Sequence, residues 1–275
     1  DLLEKMDSVE ECIYPHHVYD YFITNQPAAD LSVIANRVPR FYKNKAITNK
    51  FEPGSIFKTL TMSAAIEQEV FKHDDTIDTA PYKIGARTIK DPRYLGILSM
   101  EEVLIKSSNT GISKIALQVE PCDLYKLFND LGFGQVTSSG FPGEASGTLD
   151  YDCTRWRDGM VASLSYGYNV DASLIQLAGA YAAIGNGGIK NPISLQKIEN
   201  NSQRSFRILS ESTTVQILSM LEKVAIRGAP LAKINGYRIG GKTGTAQIAA
   251  ANYSSNRHNA LFVGVVPLSQ PRLAI

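Results

Sequence analysis

Glu52-Pro53-Gly54 interrupts whatever precedes it, and the stretch from Ser55 to Glu69 follows. It is apolar at Ile56, Phe57, Leu60, Met62, Ala64, Ala65 and Ile66, which fall on most faces of a helix. A helix apolar nearly all round has no side to offer water and has to be buried. The chain must therefore build a core around this segment. Ser55 opens it directly after a Pro-Gly turn, as an N-cap or first-turn residue would. A length of 275 residues is enough for one large domain or two intimate subdomains with such a core.

Composition narrows the function classes. Hydrophobic residues at 44% and charged residues at 20% belong to an ordinary folded domain and exclude disorder over most of the length. A formal net charge of +1 leaves no electrostatic footprint for nucleic acid. The short basic cluster Lys43, Lys45 and Lys50 reads as solvated surface. Cys12, Cys122 and Cys153 are odd in number and form no Cys-x-x-Cys, which argues against a metal ribbon, a redox motif or a dense disulfide framework. The adjacent His16 and His17 would diverge on a strand or a helix, so no metal site is expected. No apolar run is long enough to span a membrane, and no signal peptide is present. Asp1 is not an initiator methionine, and Pro271 to Ile275 stop inside what reads as a strand. The expectation is a processed form or a piece of a longer protein, incomplete at both ends.

Further along, Ser99-Met-Glu-Glu102 matches a capping box that opens a helix. A second helix is expected from Gly111 to Val119, another from Leu174 to Ile184 ending at Gly185-Asn186-Gly187-Gly188, and an amphipathic one from Thr213 to Arg227. Residues 70–100 and 132–147 read as turns and loop. Only the end looks β, with candidates at Tyr237 to Gln247 and Asn259 to Val266.

Three short motifs carry chemistry. Ser55-x-x-Lys58 puts a hydroxyl and an amine three residues apart on a helix, where side chains are neighbours. A serine hydroxyl needs a base to take its proton. A buried lysine can be that base, because desolvation and nearby cations lower its pKa. The spacing alone is weak, since Ser194-Leu-Gln-Lys197 repeats it. Ser107-Ser-Asn109 is equally cheap, since Ser254-Ser-Asn256 matches it. Lys242-Thr243-Gly244 is rarer, expected by chance in roughly one chain in twenty of this length. Each residue also has a bland reading: Ser55 as a helix cap, Asn109-Thr110-Gly111 as a turn, Lys242 as a surface strand lysine. Their order and context outweigh these.

The ordered set resembles the one shared by penicillin-binding proteins and class A β-lactamases. Longer blocks resemble class B penicillin-binding proteins: Tyr42 to Lys58, Lys106-Ser-Ser-Asn-Thr-Gly111, Gly140-Phe-Pro-Gly-Glu144, Ser163-Leu-Ser-Tyr-Gly-Tyr168 with Gln176 and Tyr181, and Lys242-Thr-Gly-Thr-Ala-Gln247. The match spans roughly residues 40–275, and its Ser-Tyr-Gly-Tyr version leans toward the cell-division type over the elongation type.

The resemblance implies an α+β fold, with an antiparallel sheet flanked by helices. A helical lobe at about 70–230 is inserted between the nucleophile helix (55–69) and the strand at 237–247. It implies a peptidoglycan D,D-transpeptidase whose substrate is the D-Ala-D-Ala end of a stem peptide and which β-lactams acylate. Ser55 would be the nucleophile, Lys58 its base, Ser107 a proton relay and Asn109 an orienting group. Lys242, Thr243 and Thr245 would hold the terminal carboxylate, and Gly244 would let the substrate approach the strand. Backbone N–H groups of Ser55 and Thr245 would form the oxyanion hole. No cofactor or metal is implied. The full-length protein would sit at the extracytoplasmic face of the bacterial inner membrane, held by an N-terminal helix outside this chain, beside a glycosyltransferase and division-complex proteins. The N-terminal region departs from the family, because Met6 to Tyr14 is short and lacks the glycine of the usual strand turn.

Competing readings are a serine β-lactamase or D,D-carboxypeptidase, and a β-lactam sensor or inactive scaffold. Glu144 lacks the Glu-x-x-x-Asn context of a deacylating base (residue 148 is Thr). Tyr166, Tyr168 and Trp156 read as packing or cleft-wall residues.

Overall fold

A computed structural model describes residues 44–72, 74–141, 143–194, 205–247 and 258–275. Lys43, His16, His17, Cys12, Lys197 and the Ser254 to Asn256 motif lie outside the described residues.

Asn44 caps the short helix α1 (Lys45–Thr48), its side chain accepting from the Ala46 N–H at 3.1 Å. After Pro53 the chain makes a 3-10 turn (Gly54–Ile56) and then helix α2 (Lys58–Glu67). Every residue of α2 from Lys58 to Ala65 is buried, as its all-round apolar pattern requires. Phe57, at the joint, is fully buried, with its ring 4.6 Å from that of Phe128 and 5.1 Å from that of Phe133. Burying such a side chain stabilises by about 2–3 kcal/mol, so the residue between Ser55 and Lys58 anchors both to the core.

The segment expected to be only turns instead holds four three-residue strands. β1 (Thr76–Asp78) pairs antiparallel with β4 (Ile97–Ser99), and β2 (Tyr82–Ile84) pairs with β3 (Arg87–Ile89). Strands this short carry no readable alternation, which is why the turn residues around them dominate the sequence. Helix α3 (Met100–Ile105) starts at Ser99 with both bonds of the capping box in place. Helix α4 (Asn109–Ala116) is capped by Ser108.

Helices α5 (Pro121–Leu131) and α6 (Asp158–Ser165) were not expected. The signal for α5 was present: Pro at its start, Leu124, Leu127, Phe128 and Leu131 on one face, and Gly132 in the left-handed conformation at its end. Helix α7 (Leu174–Gly185) and helix α8 (Glu211–Gly228) follow the expected ranges, with the small pair β5 (Ile189–Lys190) and β6 (Phe206–Arg207) between them.

β7 (Gly240–Gln247), β8 (His258–Val266) and β9 (Leu273–Ala274) form an antiparallel sheet in that order. β7 packs against α8 and the Gly54–Ile56 turn. Together these elements make the α+β arrangement of helices around an antiparallel sheet.

Cys122 and Cys153 form a disulfide that ties the first turn of α5 to the segment preceding α6. An odd cysteine count excludes a fully paired set but not one bridge. Closing a loop of 31 residues this way restricts the unfolded chain by about 3–4 kcal/mol.

Candidate active site

The site begins with the backbone around Ser55. Gly54 takes a positive φ of 58° and donates its N–H to the Gly167 carbonyl at 3.1 Å. Gly167 also has a positive φ, and a Cβ there would lie 2.2 Å from the Gly54 carbonyl oxygen. Only glycine permits this approach. Thus the Tyr166-Gly167-Tyr168 segment clamps the turn that presents Ser55. Asn169 adds a second tie, donating its N–H to Glu52 Oε1 at 3.1 Å.

Ser55 is half-buried within the 3-10 turn and caps no helix. Pro53 precedes the turn and Phe57 precedes α2, and neither start has a side-chain cap. The cap-only reading of Ser55 therefore fails, and its hydroxyl is left for other work.

Lys58 is the first residue of α2 and is wholly buried. Its Nζ donates to the Ser107 carbonyl in a short hydrogen bond and to Ser107 Oγ at 3.2 Å. Burial and the positive charge of Lys242 push its pKa well below the ordinary lysine value, while Asp91 pulls the other way. Lys242, on β7, is equally hidden. Its Nζ donates to Ser107 Oγ at 3.0 Å and to the Thr243 carbonyl at 2.9 Å. Burial brings its pKa down to about 8.

Both lysines thus converge on one hydroxyl. Ser107 lies between α3 and α4 with a φ of 53°, a left-handed conformation that costs a non-glycine residue about 1–2 kcal/mol. That conformation turns both its carbonyl and its hydroxyl toward Lys58. A hydroxyl accepts two hydrogen bonds and donates one. With both acceptor sites of Ser107 Oγ taken by lysine N–H groups, its own proton is left to point elsewhere.

Asp91 was not singled out from the sequence, where Asp91-Pro92 reads as a turn. It is 7% exposed and receives the Ser108 hydroxyl at 2.5 Å and the Asn109 N–H at 2.6 Å. It therefore anchors the loop that holds Ser107, and its negative charge favours protonated Lys58. No local pattern separates a buried aspartate from a turn aspartate. Replacing Asp91 by Ala leaves these donors without a partner and should cost about 1–3 kcal/mol of stability, read as a fall in denaturation midpoint. Asp91→Asn keeps an acceptor and should recover part of it.

The remaining expected residues fall as follows. Asn109 opens α4 and is half-buried, but among the described residues its side chain makes no hydrogen bond to Lys58. It instead lines a cavity with Arg87, Lys90, Tyr166 and Tyr168. Along β7, Lys242 and Gly244 are buried while Thr243 and Thr245 are exposed, so both threonines share the opposite face. Gly244 has a packing role in addition to the expected one. A Cβ there would lie 2.8 Å from Ile56 Cγ1 and 3.2 Å from Ile56 N. The glycine is what lets the strand pack against the Gly54–Ile56 turn.

Glu144 is occupied. It accepts hydrogen bonds from Thr137 Oγ1, from the N–H groups of Ser138 and Ser139, and from the Ser139 hydroxyl. Burial raises its pKa, but these bonds outweigh it and hold the carboxyl below its ordinary value, which makes it a poor base. Trp156 and Tyr166 are 6% exposed and serve packing, and the Tyr166 and Tyr168 rings meet edge to face at 5.8 Å. Among the described residues no cluster of His, Cys, Asp and Glu could hold a metal ion.

Comparison with known proteins places this geometry. The family model of the penicillin-binding protein transpeptidase domain matches residues 21–275, reaching further toward the N-terminus than the motifs alone. The chain is 32% identical over 256 residues to a protein named probable peptidoglycan D,D-transpeptidase PenA of Neisseria flavescens, covering 92% of this chain and 64% of the relative. It is 35% identical over 256 residues to peptidoglycan D,D-transpeptidase FtsI of Escherichia coli K12, covering 92% of this chain and 43% of that one. The chain thus spans less than two thirds of these relatives. Among solved structures, the transpeptidase domain of Burkholderia pseudomallei penicillin-binding protein 3 superposes with a TM-score of 0.79 at 34% identity, covering 84% of this chain and 72% of that one. With a buried Ser-x-x-Lys turn, a Ser-Ser-Asn loop and a Lys-Thr-Gly strand meeting at one hydroxyl, and a family match over nearly the whole length, the chain belongs to the penicillin-binding protein transpeptidase family.

Proposed function

We propose that this chain is the acyl-transfer unit of a peptidoglycan D,D-transpeptidase, with Ser55 as nucleophile. The observation that carries it is Ser107 Oγ held at 3.2 Å from Lys58 Nζ and 3.0 Å from Lys242 Nζ. Lys58, with its lowered pKa, takes the Ser55 proton as Oγ attacks the penultimate D-Ala carbonyl carbon. The N–H groups of Ser55 and Thr245 face the resulting oxyanion; losing one such donor costs about 3–4 kcal/mol of barrier. The C–N bond then breaks. The departing D-Ala nitrogen takes the free Ser107 proton, which the Lys58 ammonium replaces. An amine of a second stem peptide attacks the ester carbon, loses its proton back along this path, and releases Ser55. Lys242 supplies the positive potential for the terminal carboxylate, and the exposed Thr243 and Thr245 hydroxyls bind it. Asn109 orients the substrate amide from the cavity rim.

The relatives' names support transpeptidation over β-lactam hydrolysis. So does the engagement of Glu144, which leaves it unable to activate a water. A division role rests on the FtsI likeness and the Tyr-Gly-Tyr block. The Cys122–Cys153 disulfide suits an oxidising, extracytoplasmic compartment. Among the described residues no helix is long and apolar enough to cross a membrane. An anchor would come from the rest of the protein, as would contacts with a glycosyltransferase and division proteins.

Intact-protein mass spectrometry after benzylpenicillin treatment tests this reading. A persistent adduct on Ser55 is expected. Rapid loss of the adduct would point to a β-lactamase, and no adduct at all would reject the catalytic reading.

Acylation should follow a bell-shaped pH profile. The rate rises as Lys58 loses its proton, and falls around pH 8 as Lys242 loses the charge that holds the carboxylate. Stability takes a different course. The unfolded chain binds a proton at lysine 242 up to about pH 10.5, but the folded chain releases it near 8. Stability therefore gains with pH across that window and lacks this contribution below it. Acylation rates and melting temperatures over pH 6–10 check both.

A further inference from the structure

Tyr181 has no part in the steps above. It is wholly buried on α7, in a helix whose other buried positions are mostly Leu, Ala and Ile. A phenylalanine would fill the same space. The hydroxyl therefore needs its own account, because a buried hydroxyl without a partner costs free energy. It finds two partners at one place. The Tyr181 oxygen lies 2.9 Å from the Ile56 carbonyl oxygen and 2.9 Å from Thr59 Oγ1. Ile56 and Thr59 bracket Phe57 and Lys58, so both partners belong to the stretch that joins Ser55 to α2.

Each of the two hydroxyls has one proton to give. Among the described residues the Ile56 carbonyl takes no backbone N–H. The N–H that would reach it in a regular helix, that of Leu60, goes to the Phe57 carbonyl at 2.9 Å instead. Tyr181 therefore gives its proton to Ile56 and accepts that of Thr59. Burial raises the Tyr181 pKa, so the hydroxyl keeps this proton across the acylation profile. At the other end of the same peptide unit, the Phe57 N–H donates to the Gly54 carbonyl at 2.9 Å. A peptide unit is planar. The unit between Ile56 and Phe57 is thus pinned at both ends, and it lies between Ser55 and Lys58.

We infer that Tyr181 is a positioning residue for acylation: its hydroxyl fixes the Ile56–Phe57 peptide plane and with it the placement of the Ser55 hydroxyl relative to Lys58. The inference rests on the transpeptidase reading and adds to it a residue that touches neither substrate nor reacting atoms. Turning that plane changes ψ of Ile56 and φ of Phe57. It swings Ser55 against a lysine whose Nζ is held separately by Ser107. Without the Tyr181 hydroxyl the carbonyl is left unpaired in the core, and the plane tilts toward any other donor it can reach. Thr243, Thr245 and Asn109, which are read above as holding the substrate, make no contact with Tyr181 through this network. The loss therefore falls on the chemical step and not on binding.

The test follows acylation by benzylpenicillin in quenched flow over a range of concentrations, which separates the limiting rate from the half-saturating concentration. Rates are referred to the molecules that finally label, so a smaller folded fraction does not enter. In Tyr181→Phe the limiting rate should fall about tenfold, within the cost of a small misplacement of reacting groups, while the half-saturating concentration stays within about twofold. Thr59→Val is the control. It removes a hydroxyl of the same network and a buried hydrogen bond, yet leaves Tyr181 on the Ile56 carbonyl, so its limiting rate should stay within about twofold of wild type. Tyr181→para-aminophenylalanine keeps a donor in the hydroxyl's place and should bring the limiting rate back to within about threefold of wild type; it serves if Tyr181→Phe folds poorly. A limiting rate in Tyr181→Phe close to wild type, a loss carried by the half-saturating concentration, an equal loss in Thr59→Val, or no recovery with para-aminophenylalanine would overturn the positioning role. Failure of benzylpenicillin to label the wild-type chain would instead sink the transpeptidase reading on which that role depends.

Discussion

Ser55→Ala is expected to leave a folded protein that takes up no β-lactam. The covalent adduct should vanish, because no other hydroxyl is placed to replace it. Ser107 Oγ is held by two lysine N–H groups. In a serine hydrolase, losing the nucleophile costs about a million-fold in rate, so residual acylation should be undetectable. The fold should hardly notice. Ser55 Oγ caps neither the turn nor α2, and the segment is fixed instead by Phe57, Gly54 and Gly167. The change in stability should stay within about 0.5 kcal/mol, as for substitutions away from caps and core. Parallel mass spectra and thermal melts decide. A drop of about 1 kcal/mol or more, the usual cost of a lost N-cap, would show that Ser55 has a structural task after all.

Lys58 calls for a pair of variants. Lys58→Ala should cut the acylation rate by about a thousand-fold, within the range for a lost general base. That result alone is ambiguous. It also removes the donor to the Ser107 carbonyl and hydroxyl and so loosens the left-handed turn at Ser107. Lys58→Arg separates the two roles. A guanidinium keeps a positive charge and several donors but cannot give up its proton in a protein. If Lys58 acts as base, the arginine variant should be as slow as the alanine variant while remaining more stable. Recovery of most of the acylation rate by arginine would reduce Lys58 to a structural cation. The wild-type pH profile supplies the third comparison, since its rising limb should be missing in both variants.

Much of this site was legible in one dimension. The apolar run after Pro53-Gly54 had to become a buried helix, and it carried Lys58 in with it and left Ser55 half-buried in the turn before it. The Ser99 capping box, the α7 and α8 periodicities and the final β pair were local signals, and each formed near its expected place. Illegible features were those whose cause is a distant partner. Asp91 looks like a turn residue until the end of α4 is set against it. Nothing local to Gly244 shows that Ile56 packs against it. The small strands around Tyr82 and Arg87 are too short to show a period, so the basic wall they bring to Asn109 could not be anticipated.

The sequence by itself determined the buried helix after Ser55, the chemical identities of the proposed acylating residues and the family they belong to, because residue type, spacing and apolar period are local properties. Only the tertiary structure decided how those residues are coupled. Ser107 is placed between two lysines that lie 49 and 135 residues away along the chain. Burying both in one core lowers both pKa values by desolvation, and the charge of Lys242 lowers that of Lys58 further, effects that act through space and not along the sequence.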